Sequence, residues 1–133
     1  MEFVEKFSKV FHKGCVNEDG AYYETIVRVV DGVRDDGTTT YVDLRSGFNV
    51  DNKTSFTKCG VFLKANEFKE IMNQITRRKI GEIGDHNRKV YYKKGYYFTK
   101  IGYIVKGKDK YINMSTNEFE KLLTIYSEIL KYI

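Results

Sequence analysis

Between Arg88 and Lys110 the chain alternates cations with flat rings: Arg88, Lys89, Tyr91, Lys93, Tyr97, Lys100, Tyr103, Lys106 and Lys110. These two residue types together suit one kind of ligand. Lysine and arginine pair with phosphates, and an exposed ring gives an unpaired base a surface to stack on, contributing about 1–3 kcal/mol per base. Strand alternation puts Lys89, Tyr91 and Lys93 on one face, a surface that a hydrophobic core would reject. A competing reading packs the tyrosine rings in the core with their hydroxyls at the rim, and gives the lysines the task of keeping edge strands soluble.

Other chemistries find little support. His12 and His86 are the only histidines and lie far apart in sequence, and Cys15 and Cys59 are single. Zinc-ligand spacing is absent. So are a glycine-rich phosphate loop and a Ser-His-Asp or Cys-His grouping. Asp31, Asp35, Asp36 and Asp51 fall in predicted turns, where their turn chemistry explains them better than metal binding does. The expectation is a protein that is not an enzyme and uses no metal or cofactor.

The 133 residues suffice for one domain with its own core. There are 11 Tyr and 9 Phe but no Trp, more rings than a core of this size needs, so some rings should lie on the surface. Net charge is +5 and unevenly spread: residues 1–75 carry 10 Lys/Arg against 12 Asp/Glu, and residues 76–133 carry 13 against 6. A one-sided basic surface favours a polyanion, nucleic acid before an acidic membrane, although a solvated lysine-rich surface would give the same count. Two cysteines make no disulfide framework, nothing at the N-terminus reads as a signal peptide, and no apolar run approaches the ~20 residues of a membrane span. An intracellular, reducing location (cytoplasmic or nuclear, with a viral origin compatible) is expected. The glycosylation patterns at Asn52 and Asn113 then read as chance.

The elements that must position these residues are legible in part. Lys9 to Lys13 is a short alternating stretch closed by Gly14. Tyr22 to Val30 is rich in β-branched and aromatic residues and predicts a strand. Thr38 to Phe48 predicts a second, with Val42, Leu44 and Phe48 on one face, and Thr57 to Leu63 another. Phe68, Ile71, Met72 and Ile75 then stand at helical spacing. Arg77 to Lys79 follows, where cations favour a helix C-terminus, and Gly81 and Gly84 can end the helix. In the second half Lys89 to Lys93, Tyr96 to Thr99, Ile101 to Lys106 and Lys110 to Met114 predict strands, with Gly102 as a bulge. Ser115 to Glu118 is a capping box. Phe119, Leu122, Leu123, Tyr126, Ile129 and Leu130 share one face of the helix it opens.

Asn-Glu-Phe occurs twice, at Asn66–Phe68 and Asn117–Phe119, each time between a strand pattern and a helix pattern. Lys9-Val-Phe-His-Lys13 also has an echo in Lys89-Val-Tyr-Tyr-Lys93, which adds Lys13 to the candidate cations. The expectation is an α+β fold: one domain over residues 1–133 built from a tandem ββββα repeat, with units at about 9–80 and 86–133. The two antiparallel sheets would be covered by packed helices in a pseudo-twofold arrangement.

The first unit resembles the transcriptional positive-cofactor-four family, which shares a superfamily with the Whirly proteins. The resemblance spans about residues 22–75. It rests on Ile26-Val-Arg-Val29, Val42-Asp-Leu-Arg45, Phe48, Lys58-Cys-Gly-Val-Phe-Leu63 and Asn66-Glu-Phe68. It implies binding of single-stranded DNA without strong sequence preference, across the sheets of a dimer, in transcription, replication or repair. It also implies a Whirly-like pairing of two units in one chain. Arg28, Arg45, Phe48 and Lys58 become candidate contacts in the first half. Two departures count against it: Lys58-Cys59 carries one charge where the family has two, and the second unit lacks the Val-Asp-Leu-Arg segment.

A broad sheet suits unstacked bases, whereas duplex DNA is usually read by an element inserted in the major groove. The expected partner is therefore single-stranded DNA, with RNA open on the same face. A protein of another class would fit as well: a basic adaptor, such as a coactivator, that docks an acidic protein. A homodimer or higher oligomer is also open, with Tyr126, Ile129, Leu130 and Ile133 able to seat a second chain. Phe3, Val4, Phe7 and Phe11 form an amphipathic stretch that would cover that surface or bind a partner.

Overall fold

The computed structural model describes all residues, Met1 to Ile133. The first half forms strands β1 (Glu2–Lys13), β2 (Tyr22–Arg34), β3 (Gly37–Val50) and β4 (Lys53–Lys64), then helix α1 (Ala65–Ile75). The second half forms β5 (Ile80–Gly84), β6 (Arg88–Lys94), β7 (Phe98–Val105) and β8 (Lys108–Ser115), then helix α2 (Thr116–Ile129) and a short 3-10 turn, Leu130–Tyr132. Each half is a four-stranded sheet in sequence order, antiparallel throughout. The α+β architecture of two ββββα units is therefore present.

Short connections hold these ladders in register. Val50 pairs with Lys53 and Val105 with Lys108, leaving Asp51-Asn52 and Lys106-Gly107 as two-residue turns. All four turn residues have positive φ, between 52° and 75°. That matches the twist of paired strands, and Asn, Asp and Gly adopt it at least cost.

One apolar cluster of 19 buried residues draws on both sheets and both helices. The stripe Phe68, Ile71, Met72 and Ile75 lies wholly inside it. Each helix also reaches beyond its own unit: α1 lies against β5 and β6, and α2 against β1. The helices meet where the rings of Phe68 and Tyr126 approach edge-on at 5.7 Å.

Several elements differ from the sequence expectation. The first strand begins at Glu2, so Phe3, Val4, Phe7 and Phe11 belong to it. Two register shifts, at Lys6 and Phe11, break its alternation and hide the strand. Phe7 stacks on Tyr132 at 4.9 Å, and Ile129 is buried, so part of the C-terminal apolar surface is covered from within the chain. Ile80–Gly84 is a strand rather than a helix terminus. Its Gly81 is required because the Tyr92 ring lies over it: an added Cβ would meet Tyr92 Cζ at 2.7 Å.

Lys89–Lys93 is thus in the second strand of its unit, while Lys9–Lys13 is in the first, and their likeness does not mark equivalent positions. Gly95, Tyr96 and Tyr97 form a turn, and Phe98–Val105 is one strand. Gly102 sits in regular register between Tyr91 and Tyr111 and is not a bulge. The Arg77–Lys79 run lies just past α1, whose last turn carries no cation.

Candidate nucleic-acid interface

The second sheet separates its residues as alternation requires. Val90 and Tyr92 are buried on the helix side, and Lys89, Tyr91 and Lys93 point the other way. Register puts Lys100, Gly102 and Ile104 of β7 and Asp109, Tyr111 and Asn113 of β8 on the same outer face.

Tyr91 dominates that face. Its ring lies flat across Gly102 and its hydroxyl donates to Asp109 Oδ1 at 2.7 Å. Only glycine fits beneath it, since a Cβ at residue 102 would sit 2.6 Å from Tyr91 Oη. Burial, and then the Asp109 contact, raise the Tyr91 pKa well above its ordinary value. Lys100 sits between two rings, with Nζ 4.0 Å from the centroid of Tyr111 and 5.7 Å from that of Tyr91.

At the end of the sheet the β6–β7 turn and the first residue of β7 present three exposed rings. Tyr96 is 86% exposed, Tyr97 72% and Phe98 55%. Together with Lys93, Lys100 and Asn113 they line a shallow cavity. Lys93 and Lys100 join none of the ion pairs, and Lys89 has only Glu82 at 3.8 Å. The outer face therefore carries free cations among accessible rings, which can hold phosphates and stack bases at once.

The remaining candidates lie elsewhere. Arg88 points to the helix side and is spent on structure. It donates to both carboxylate oxygens of Glu67, at 2.8 and 2.9 Å, and to the Phe62 carbonyl at 3.1 Å. Its guanidinium also covers the Tyr103 ring at 4.5 Å. The hydrogen bond to Glu67 raises the Arg88 pKa, against the effect of burial. Tyr103, Lys106 and Lys110 border a cavity beside Arg88, so these four do not share a face with Tyr91.

In the first sheet Arg28 and Arg45 converge on Asp43, whose side chain is 1% exposed. Arg28 also covers the Phe56 ring at 4.4 Å. Asp43 offsets one of the two charges and Glu5, 3.8 Å from Arg28, part of the other, which the Val-Asp-Leu-Arg segment could not reveal without the cross-strand Arg28. Phe48 packs on Tyr23 at 4.8 Å. Lys58 is exposed in an irregular stretch of β4, and Lys13 lies over the Tyr22 ring at 5.7 Å.

Three rings on the outer face were missed in the sequence: Tyr96, Phe98 and Tyr111. Tyr111 carried a usable signal, since it alternates with the buried Ile112 and Met114 sides of β8. The other two did not: Tyr96 lies in a turn that read as a strand, and Phe98 opens β7 instead of sitting inside the expected Tyr96–Thr99 strand.

Compared with protein-family models, with curated proteins and with solved structures, the chain matches none. The likeness to the positive-cofactor-four family rests on the quoted motif residues alone.

Proposed function

We propose that the chain binds single-stranded nucleic acid, DNA foremost, on the outer face of the second sheet and without strong sequence preference. One arrangement carries this reading: the Tyr91 ring laid over Gly102, with the unpaired Lys100 between it and Tyr111. A ring fixed flat on a sheet offers its face to a base without losing side-chain entropy on binding. The exposed Tyr96, Tyr97 and Phe98 extend the stacking surface, and Lys89, Lys93 and Lys100 supply cations along it. The first sheet contributes less, because Arg28 and Arg45 are engaged by Asp43. The helix contacts that cross between units support the finer reading of a pseudo-twofold, Whirly-like pair. A role in replication, transcription or repair follows from that family resemblance.

The test is a titration of labelled oligo-dT of increasing length, with matching duplex, at two salt concentrations. The proposal expects length-dependent, salt-sensitive binding to the single strand. Tyr91→Ala should lose about 1–3 kcal/mol. Lys93→Ala combined with Lys100→Ala should lower the salt slope by about 1.4, near 0.7 per cation lost. Binding that ignores strandedness and length, and is unchanged in these variants, would overturn the proposal and favour an acidic protein partner.

A further inference from the structure

Strand β1 is an edge strand: it pairs with β2 on one side and with nothing on the other. It is also unusually open, with Phe3 57%, Val4 46% and Val10 38% exposed. An unpaired strand edge of this length invites another strand. The bulge at Lys6 selects which one.

Glu5 faces Val30 and Phe7 faces Val29, so Lys6 is an extra residue. Alternation inverts across it. Glu2, Val4, Phe7 and Lys9 lie on the helix side, while Phe3, Glu5, Ser8 and Val10 lie on the other. A regular strand laid against β1 would find one residue too many. A second copy, turned about a two-fold axis perpendicular to the sheet, sets its own Lys6 opposite Glu5 of the first, so that each strand carries its extra residue at the axis and the two cancel.

We propose that β1 pairs antiparallel with β1 of a second copy of this chain, with Glu2 opposite Lys9 and Val4 opposite Phe7. In this register every pair away from the axis shares a face. Glu2–Lys9 and Val4–Phe7 fall on the helix side, Phe3–Ser8 on the other, and Glu5 neighbours Lys6 at the axis. Moving the register by two residues either way sets Val4 against Glu5 or Lys9 and removes the Glu2–Lys9 match. Charge complementarity thus chooses one register. Lys9 already holds Glu128 at 3.2 Å in the open, a contact it can share with Glu2 of the second copy. Tyr132, stacked on Phe7, and Leu130 are both partly exposed, and they extend the apolar rim on the helix side. The pairing is independent of the nucleic-acid face, which lies on the other sheet.

The experiment is sedimentation equilibrium of the full chain up to about 100 μM, with Glu2→Lys, Lys9→Glu and their equimolar mixture. The wild type should reach the dimer mass. Each single variant puts like charges in both symmetry-related pairs and should weaken association by about ten-fold or more. The mixture restores opposite charges at both pairs, so it should associate as a heterodimer. Val4→Asp, on an exposed side chain, should also abolish association while circular dichroism stays native. A wild type that remains monomeric, a dimer indifferent to these changes, or folded variants that fail to associate when mixed would each overturn the pairing.

Discussion

Glu67 and Glu118 do the same two things from corresponding positions. Each accepts the backbone N–H that precedes its own helix, from Lys64 at 2.9 Å and from Ser115 at 3.2 Å. Each also accepts from the second strand of the other unit: Glu67 from Arg88 of β6, Glu118 from the Thr25 hydroxyl at 2.6 Å. The repeated Asn-Glu-Phe thus has a physical content. The glutamate caps the helix and crosses to the other unit, and the following Phe68 or Phe119 enters the shared core.

The crossing contacts should be measurable in stability. Glu67→Gln keeps the side-chain shape but loses a charge-assisted pair in which Glu67 is 13% exposed. It should cost about 1–3 kcal/mol in urea unfolding. Glu118→Gln, where the carboxylate accepts from one hydroxyl and one backbone N–H and the amide oxygen can keep one of these, should cost less. Equal and negligible losses would show that neither carboxylate ties the units together.

Gly102 is the tightest sequence constraint on the proposed face. In Gly102→Ala the new Cβ would meet Tyr91 Cζ at 2.7 Å and the Lys110 carbonyl oxygen at 2.8 Å. One neighbour is backbone, so relief requires the strand as well as the ring to move. A stability loss of about 1–3 kcal/mol is expected, together with weaker oligo-dT binding, because the ring is lifted from the sheet. Combining Gly102→Ala with Tyr91→Ala should recover part of the stability and none of the binding, and a pair of melts with a pair of titrations would establish both.

Alkaline pH should weaken the fold through Tyr91. Its pKa in the folded chain is raised above the ordinary 10.0, by burial and by Asp109. The protonated phenol is therefore favoured in the folded chain. Its contribution is fully present below pH 10 and is lost as pH rises toward the folded value, because the unfolded chain releases its proton first. Tyr126, raised by burial, acts in the same direction. Urea midpoints should fall from pH 9 to 11, and less steeply in Tyr91→Phe. A slope unchanged by that substitution would exclude Tyr91 as a source of it.

Much of the fold was legible because it depends on local pattern. The stripe from Phe68 to Ile75, the alternation of β2 and β3 and the capping box at Ser115 are set within one element by backbone geometry. Only the end of β1, Lys9–Lys13, was legible, because bulges at Lys6 and Phe11 scramble the period of the rest, and β5 was not. In β5, two glycines copy a helix end, although Gly81 is there for Tyr92.

By itself, then, the sequence determined that two strand-rich segments each end in an amphipathic helix, the second opened by a capping box, and that cations and rings alternate in the second half. Which cations remain free was decided only by the tertiary structure. Arg28 meets Asp43 across 15 positions of sequence, and Arg88 meets Glu67 across 21. Lys100 finds two rings and no carboxylate. A side chain's charge is written in its residue type, but its partner is set by strand register and by how the two units pack. Both are long-range outcomes of burying a common core, which no local pattern encodes.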